Sequence, residues 1–114
     1  MRLAIAAALM ALLFGKVMAA PLDGGAIRGF IVGATVSGSM RDTGRFEEFF
    51  APDGTIRGRG YSGRWSIAGD RLCLDYGDGP SCWRVEAEGD AVRWLENGGV
   101  AGTGRVTPGN PNGF

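Results

Sequence analysis

Apolar and polar residues alternate over short stretches through most of the chain, and glycine-rich reversals interrupt them at nearly regular spacing. Alternation with a period of two puts successive side chains on opposite faces of a strand, so it predicts strands with one buried face. Eight are expected, near Thr35–Met40, Arg45–Phe50, Thr55–Arg59, Gly63–Ala68, Arg71–Tyr76, Ser81–Ala87, Ala91–Glu96 and Val100–Thr107. Their shared inward set is Phe46, Phe50, Ile56, Trp65, Ile67, Leu72, Leu74, Trp83, Val85, Val92 and Trp94. Arg57, Arg59, Arg64, Arg71, Arg84 and Arg93 take the opposite parity. Agreement across several strands is stronger than any one of them.

The reversals fix registers. Ala51-Pro52-Asp53-Gly54 suits a type I turn closed by a left-handed glycine, which sets Phe50 against Ile56, Glu48 against Gly58 and Glu47 against Arg59. A loop at Gly60-Tyr61-Ser62-Gly63 then sets Ile56 against Ile67, Gly58 against Trp65 and Arg59 against Arg64. Consecutive short hairpins make an up-and-down antiparallel meander, and closure into a barrel removes its exposed edges. The expected class is mainly β, a small closed or nearly closed barrel; a two-sheet sandwich is the alternative. Strands of about six residues leave little room inside, so the tryptophans are expected to fill a core.

Two segments depart from this pattern. From Asp23 to Val32, a capping aspartate precedes Ile27, Phe30 and Ile31 at helical spacing, which predicts one or two turns of helix, weakened by Gly24 and Gly25. At the start, Arg2, the apolar run Leu3–Phe14 and the small residues around Ala19 have the order of a secretory signal peptide. The run is too short to span a membrane, which takes about 20 apolar residues. The expected division is a cleaved signal over 1–19, a β-meander domain over 20–107 and a tail over 108–114.

Removal of the signal leaves ten arginines, no lysine and twelve acids, a net charge near −2. That balance gives no general attraction to nucleic acid or anionic lipid. A monomer in the periplasm or outside the cell is expected, with an unidentified protein or small-molecule partner. In an oxidising compartment Cys73 and Cys82 are expected to pair. Pairing them across a hairpin puts Leu72 opposite Trp83 and Arg71 opposite Arg84, with the cystine on the face away from Leu72, Leu74, Trp83 and Val85.

The run Phe49-Phe50-Ala51-Pro52-Asp53-Gly54-Thr55-Ile56-Arg57-Gly58, then Gly63-Arg64-Trp65-Ser66-Ile67, then Gly69-Asp70-Arg71-Leu72-Cys73 with Cys82 and Gly109-Asn110-Pro111, resembles a largely uncharacterised group of small secreted bacterial proteins with one disulfide. The resemblance implies a β-meander of calycin or lipocalin kind. It transfers no catalytic residue, because its motifs are turns, core tryptophans and cystine.

The chain has no histidine, which excludes Ser-His-Asp and Cys-His catalysis and ordinary zinc sites. Without lysine in the mature part, Schiff-base chemistry is excluded as well. No enzyme activity, cofactor or metal is expected. The candidate contacts for a ligand or anion are Glu48, which falls on the inward parity, and Arg57, Arg59 and Arg64. A buried Glu48 would have a raised pKa; the more ordinary outcome is that a bulge or frayed end returns it to solvent. Tyr61, Trp65, Trp83 and Trp94 could line a barrel mouth. The function these features point to is a small exported binding or interaction module; a structural or envelope-stress protein with a filled core is the alternative.

Overall fold

The computed structural model describes residues 20–114, and the expected signal peptide lies outside them. The first element is α1, Gly24–Ile31. Its cap is Asp23, whose carboxylate accepts the backbone N–H of Ala26 at 2.8 Å, satisfying one of the donors that a helix start leaves open. Ile27 and Ile31 lie one turn apart and are buried, while Phe30 is partly covered. The glycine that weakens this helix also docks it. A Cβ on Gly24 would collide with the carbonyl of Gly69, and its N–H bonds Asp70 Oδ1 at 3.0 Å.

Eight antiparallel strands follow: β1 Ala34–Met40, β2 Gly44–Phe50, β3 Thr55–Gly58, β4 Tyr61–Ala68, β5 Arg71–Asp75, β6 Pro80–Glu88, β7 Ala91–Glu96 and β8 Gly99–Pro108. Each pairs with the next, and β1 pairs with β8, so the meander closes into a barrel. The expected fold class therefore holds, and the sandwich does not form. The turns at 51–54, 69–70 and 89–90 share one end of the barrel with α1. The connections at 41–43, 59–60, 76–79 and 97–98 form the other end.

Two registers came out as expected. Phe50 pairs with Ile56 across a turn in which Gly54 has φ 92°, and Leu72 pairs with Trp83 beside Cys73 and Cys82. The disulfide joins Cys73 to Cys82. It lies on the outward parity, with Cys82 exposed and Cys73 only 4% exposed, and Cys73 is not part of the hydrophobic core cluster. Closing this hairpin contributes about 2–3 kcal/mol on a chain-entropy account.

A third register needs correction. Ile56 pairs with Gly63, Gly58 with Tyr61 and Thr55 with Arg64. The reversal occurs at Arg59-Gly60, where Gly60 has φ 81°. Gly63 is a strand residue rather than a turn residue. A Cβ there would lie 2.7 Å from the Tyr76 ring and 2.8 Å from the Asp75 carbonyl, the close approach that glycine in a strand permits. Arg59 and Arg64 therefore do not face each other, and Trp65 is opposite Leu74 rather than Gly58. Moving the turn slides the pairing by an even number of residues, so every side chain keeps its face.

The β2–β3 ladder is short as well. Only Phe49–Arg57 and Phe50–Ile56 pair, so Glu48 has no partner at Gly58 and Glu47 none at Arg59. Glu47 instead accepts the Ser37 hydroxyl at 2.6 Å.

Near α1 the interior is packed with Ile27, Ile31, Val36, Phe50, Ile56, Leu72, Val85 and Val92. Each such side chain taken out of water contributes about 1.5–3 kcal/mol. The segment after Pro108 is docked rather than loose. Gly109 N–H bonds the Gly33 carbonyl at 2.9 Å, and Thr35 Oγ1 donates to the Gly109 carbonyl at 2.7 Å. Asn110 then exchanges two hydrogen bonds with the backbone of Phe114, whose ring lies 5.7 Å from the Arg59 guanidinium.

Candidate functional site

The inward positions in the half of the barrel away from α1 do not fill it. Phe46 and Glu48 of β2, Tyr61 of β4, Leu74 of β5, Trp83 of β6 and Trp94 of β7 surround a chamber of about 740 Å³. Met40, Asp42, Arg45, Ser81 and Glu96 stand around its mouth. Trp65 and Trp94 do join the core, with Trp83 packed against it, as expected, but the core does not fill the barrel throughout. The space exists because glycine occupies several inward positions here. A Cβ on Gly104 would meet the Trp94 ring at 3.4 Å and Val36 at 3.1 Å, and one on Gly102 would collide with the Met40 sulfur. Gly58 plays the same part for Tyr61, whose ring lies where a Cβ would stand. The rings lie against backbone, and the centre of this half stays open.

Glu48 is the one buried acid among the described residues, at 4% exposure. The alternation placed it inward, and no bulge returns it to water. Two phenols reach it across the unpaired part of the β2–β3 seam. Tyr61 donates to Oε1 at 3.0 Å and Tyr76 donates to the same oxygen at 2.6 Å. Gly58 and Gly63 make room for these rings, which lie 6.1 Å apart. Oε2 accepts no hydrogen bond from the described residues. Burial raises the pKa of Glu48, and the bonds from Tyr76 and Tyr61 oppose that rise without cancelling it. Burial, together with the neighbouring charge of Glu48, also raises both phenols. The two tyrosines therefore remain protonated donors across the ordinary pH range.

Trp94 adds a second unmet demand. It is 1% exposed, packs edge-on against Phe46 at 5.5 Å, and its indole N–H has no acceptor among the described residues. A buried donor without a partner costs about 1–3 kcal/mol, and such groups are rare enough to need a reason.

The candidate arginines lie elsewhere. Arg57 bonds Asp53 at 3.4 Å, within the β2–β3 turn that Asp53 organises by accepting from Thr55. Arg59 covers Phe114, and Arg64 stands on the outer face between Thr55 and Asp75. None of the three meets Glu48, so the four candidates do not form one site. Trp65, also named for the mouth, sits at the α1 end instead, with its N–H on the Ala51 carbonyl at 2.8 Å and Arg28 over its ring at 5.3 Å.

No family model matches the chain, and neither a curated protein nor a solved structure matches it.

Tyr76 is not among the candidates the sequence offers, although it continues the parity of Leu72 and Leu74 and so points inward. The chamber had a signal too. Gly38, Gly58, Gly63, Gly102 and Gly104 all fall on the inward parity and contribute no volume. A second hollow, of about 900 Å³, crosses the outside of β1, β2, β7 and β8. Its charges largely answer one another: Arg93 bonds Glu86 and Glu88, and Arg105 bonds Asp90. Among the described residues no three potential metal ligands cluster, and no helix is long and apolar enough to cross a membrane. The disulfide is compatible with an extracellular or periplasmic location.

Proposed function

We propose that the protein is an exported binding module of calycin-like kind, working in the periplasm or outside the cell, that holds a small molecule in the chamber opposite α1. The observation that supports this reading is Glu48. A barrel needing only stability would carry an apolar residue there, since a buried carboxyl group costs energy unless it is answered. Here the acid is kept, held by two phenols, and placed against open space. A mixed apolar and aromatic wall with a few convergent polar atoms is the usual make-up of a small-molecule site. The chamber volume of about 740 Å³ falls in the ordinary range for such sites, about 300–1,000 Å³. No group in the chamber is arranged as a nucleophile with its base, and binding without turnover is the activity proposed.

The test is native mass spectrometry of the mature protein recovered from periplasmic extract, run beside Ser81→Trp. Ser81 is exposed at the mouth, so the indole obstructs entry at little cost to folding. The expected result is a co-purifying small molecule on the wild type that is missing from Ser81→Trp. Equal adducts on both proteins, or none on either, would count against the chamber as a binding site.

A further inference from the structure

We infer that the ligand of the chamber is a compact organic cation, an amine or quaternary ammonium; this rests on the binding reading above. The first ground is the charge inside. Glu48 receives two neutral donors on Oε1, nothing on Oε2, and no arginine pairs with it among the described residues. A carboxylate in that setting lacks one positive charge. An anionic ligand would face it directly, and a hydrocarbon would strip its remaining hydration without replacing it. A cation neutralises it and forms a charge-assisted contact.

The wall is the second ground. Phe46, Tyr61, Tyr76, Trp83 and Trp94 present aromatic surface around the acid, and ring faces attract cations most strongly where water is excluded. At the mouth Asp42 is answered by Arg41 at 4.0 Å, and Arg45 stands with Glu96, so the rim charges balance and the uncompensated acid is the inner Glu48. A metal ion is the wrong kind of cation here, because three potential metal ligands never come together among the described residues.

Three probes of one shape separate charge from fit: choline, its uncharged carbon isostere 3,3-dimethyl-1-butanol, and the anion 3,3-dimethylbutyrate. Affinities for the mature protein are read by tryptophan fluorescence and calorimetry at pH 8. Choline is expected to bind at least about tenfold tighter than the neutral isostere, with the anion weakest. Glu48→Gln should remove that preference, so that choline and the neutral isostere bind alike, and Glu48→Asp should retain part of it. Lowering the pH should shrink the preference as Glu48 takes up its proton. Equal or tighter binding of the neutral isostere, or a preference that survives in Glu48→Gln, overturns the cation and leaves the chamber standing as a binding site. Failure of all three probes also overturns this compact-cation assignment, and the chamber reading is then decided separately by the Ser81→Trp comparison.

Discussion

The two ends of this barrel are built on the same alternation and reach opposite results. At the α1 end, inward positions carry Val36, Phe50, Ile56, Leu72 and Val85, and the helix closes the interior with Ile27 and Ile31. At the other end, inward positions carry glycine, aromatic rings and one acid, and the interior stays open. The tryptophans make the contrast atom by atom: the Trp65 N–H finds the Ala51 carbonyl, and the Trp94 N–H finds no acceptor among the described residues. One end satisfies its own chemistry, and the other leaves chemistry unsatisfied. A small barrel can carry such an imbalance when a packed half supplies the stability that the open half forgoes.

The largest test of that division is Ile27→Ala. It empties part of the closed end and should cost about 3 kcal/mol, read as a lower midpoint in denaturant. Affinity in the chamber should be unchanged in the protein that remains folded. A cost below about 1 kcal/mol would mean that α1 rests on the barrel without closing it. Next come the paired variants Trp65→Phe and Trp94→Phe. Both lose similar ring volume, but only the first breaks a hydrogen bond, so Trp65→Phe should be the less stable by about 1–2 kcal/mol. Equal losses would show that the Trp94 N–H is already answered.

The smallest effect lies in the pH dependence. Glu48 has its pKa raised above the ordinary 4.5, so its contribution is fully present below that value and is lost as pH rises through the folded pKa. Wild-type Tm should therefore fall relative to Glu48→Gln as the solution goes from acid to neutral, with the two proteins closest in acid. A difference that does not vary with pH would mean that Glu48 is as easily ionised inside the barrel as outside it.

The closed end was legible in the sequence because it is made of parity, and parity is local. Phe50, Ile56, Leu72 and Val85 could be placed without knowing which strand stood beside which. Even the misplaced turn at Gly60-Tyr61-Ser62-Gly63 left their faces intact. Asp23 and Ile27 similarly announced the helix through capping and spacing. The open end depends on height along the barrel as well as on face, and height follows from register. Placing the turn two residues late hid the meeting of Tyr61 with Gly58, and with it the route by which the phenol reaches Glu48. Tyr76 adds a contact 28 residues away in sequence, which no local pattern encodes. Glycine misled in a specific way: Gly63 reads as a turn residue until the ring that needs its missing side chain is in view.

The half-paired seam between β2 and β3 bears on how quickly anything could leave the chamber. Most of this barrel's wall is a continuous ladder of backbone bonds, which opens only when large parts of the fold open together. Beyond Phe49 the seam relies on two phenolic side chains converging on one carboxyl oxygen. Side-chain rotation is fast and local compared with strand separation. That seam is therefore the stretch of wall that side-chain rotation of Tyr61 and Tyr76 alone can loosen, with the barrel remaining closed on its other seven seams.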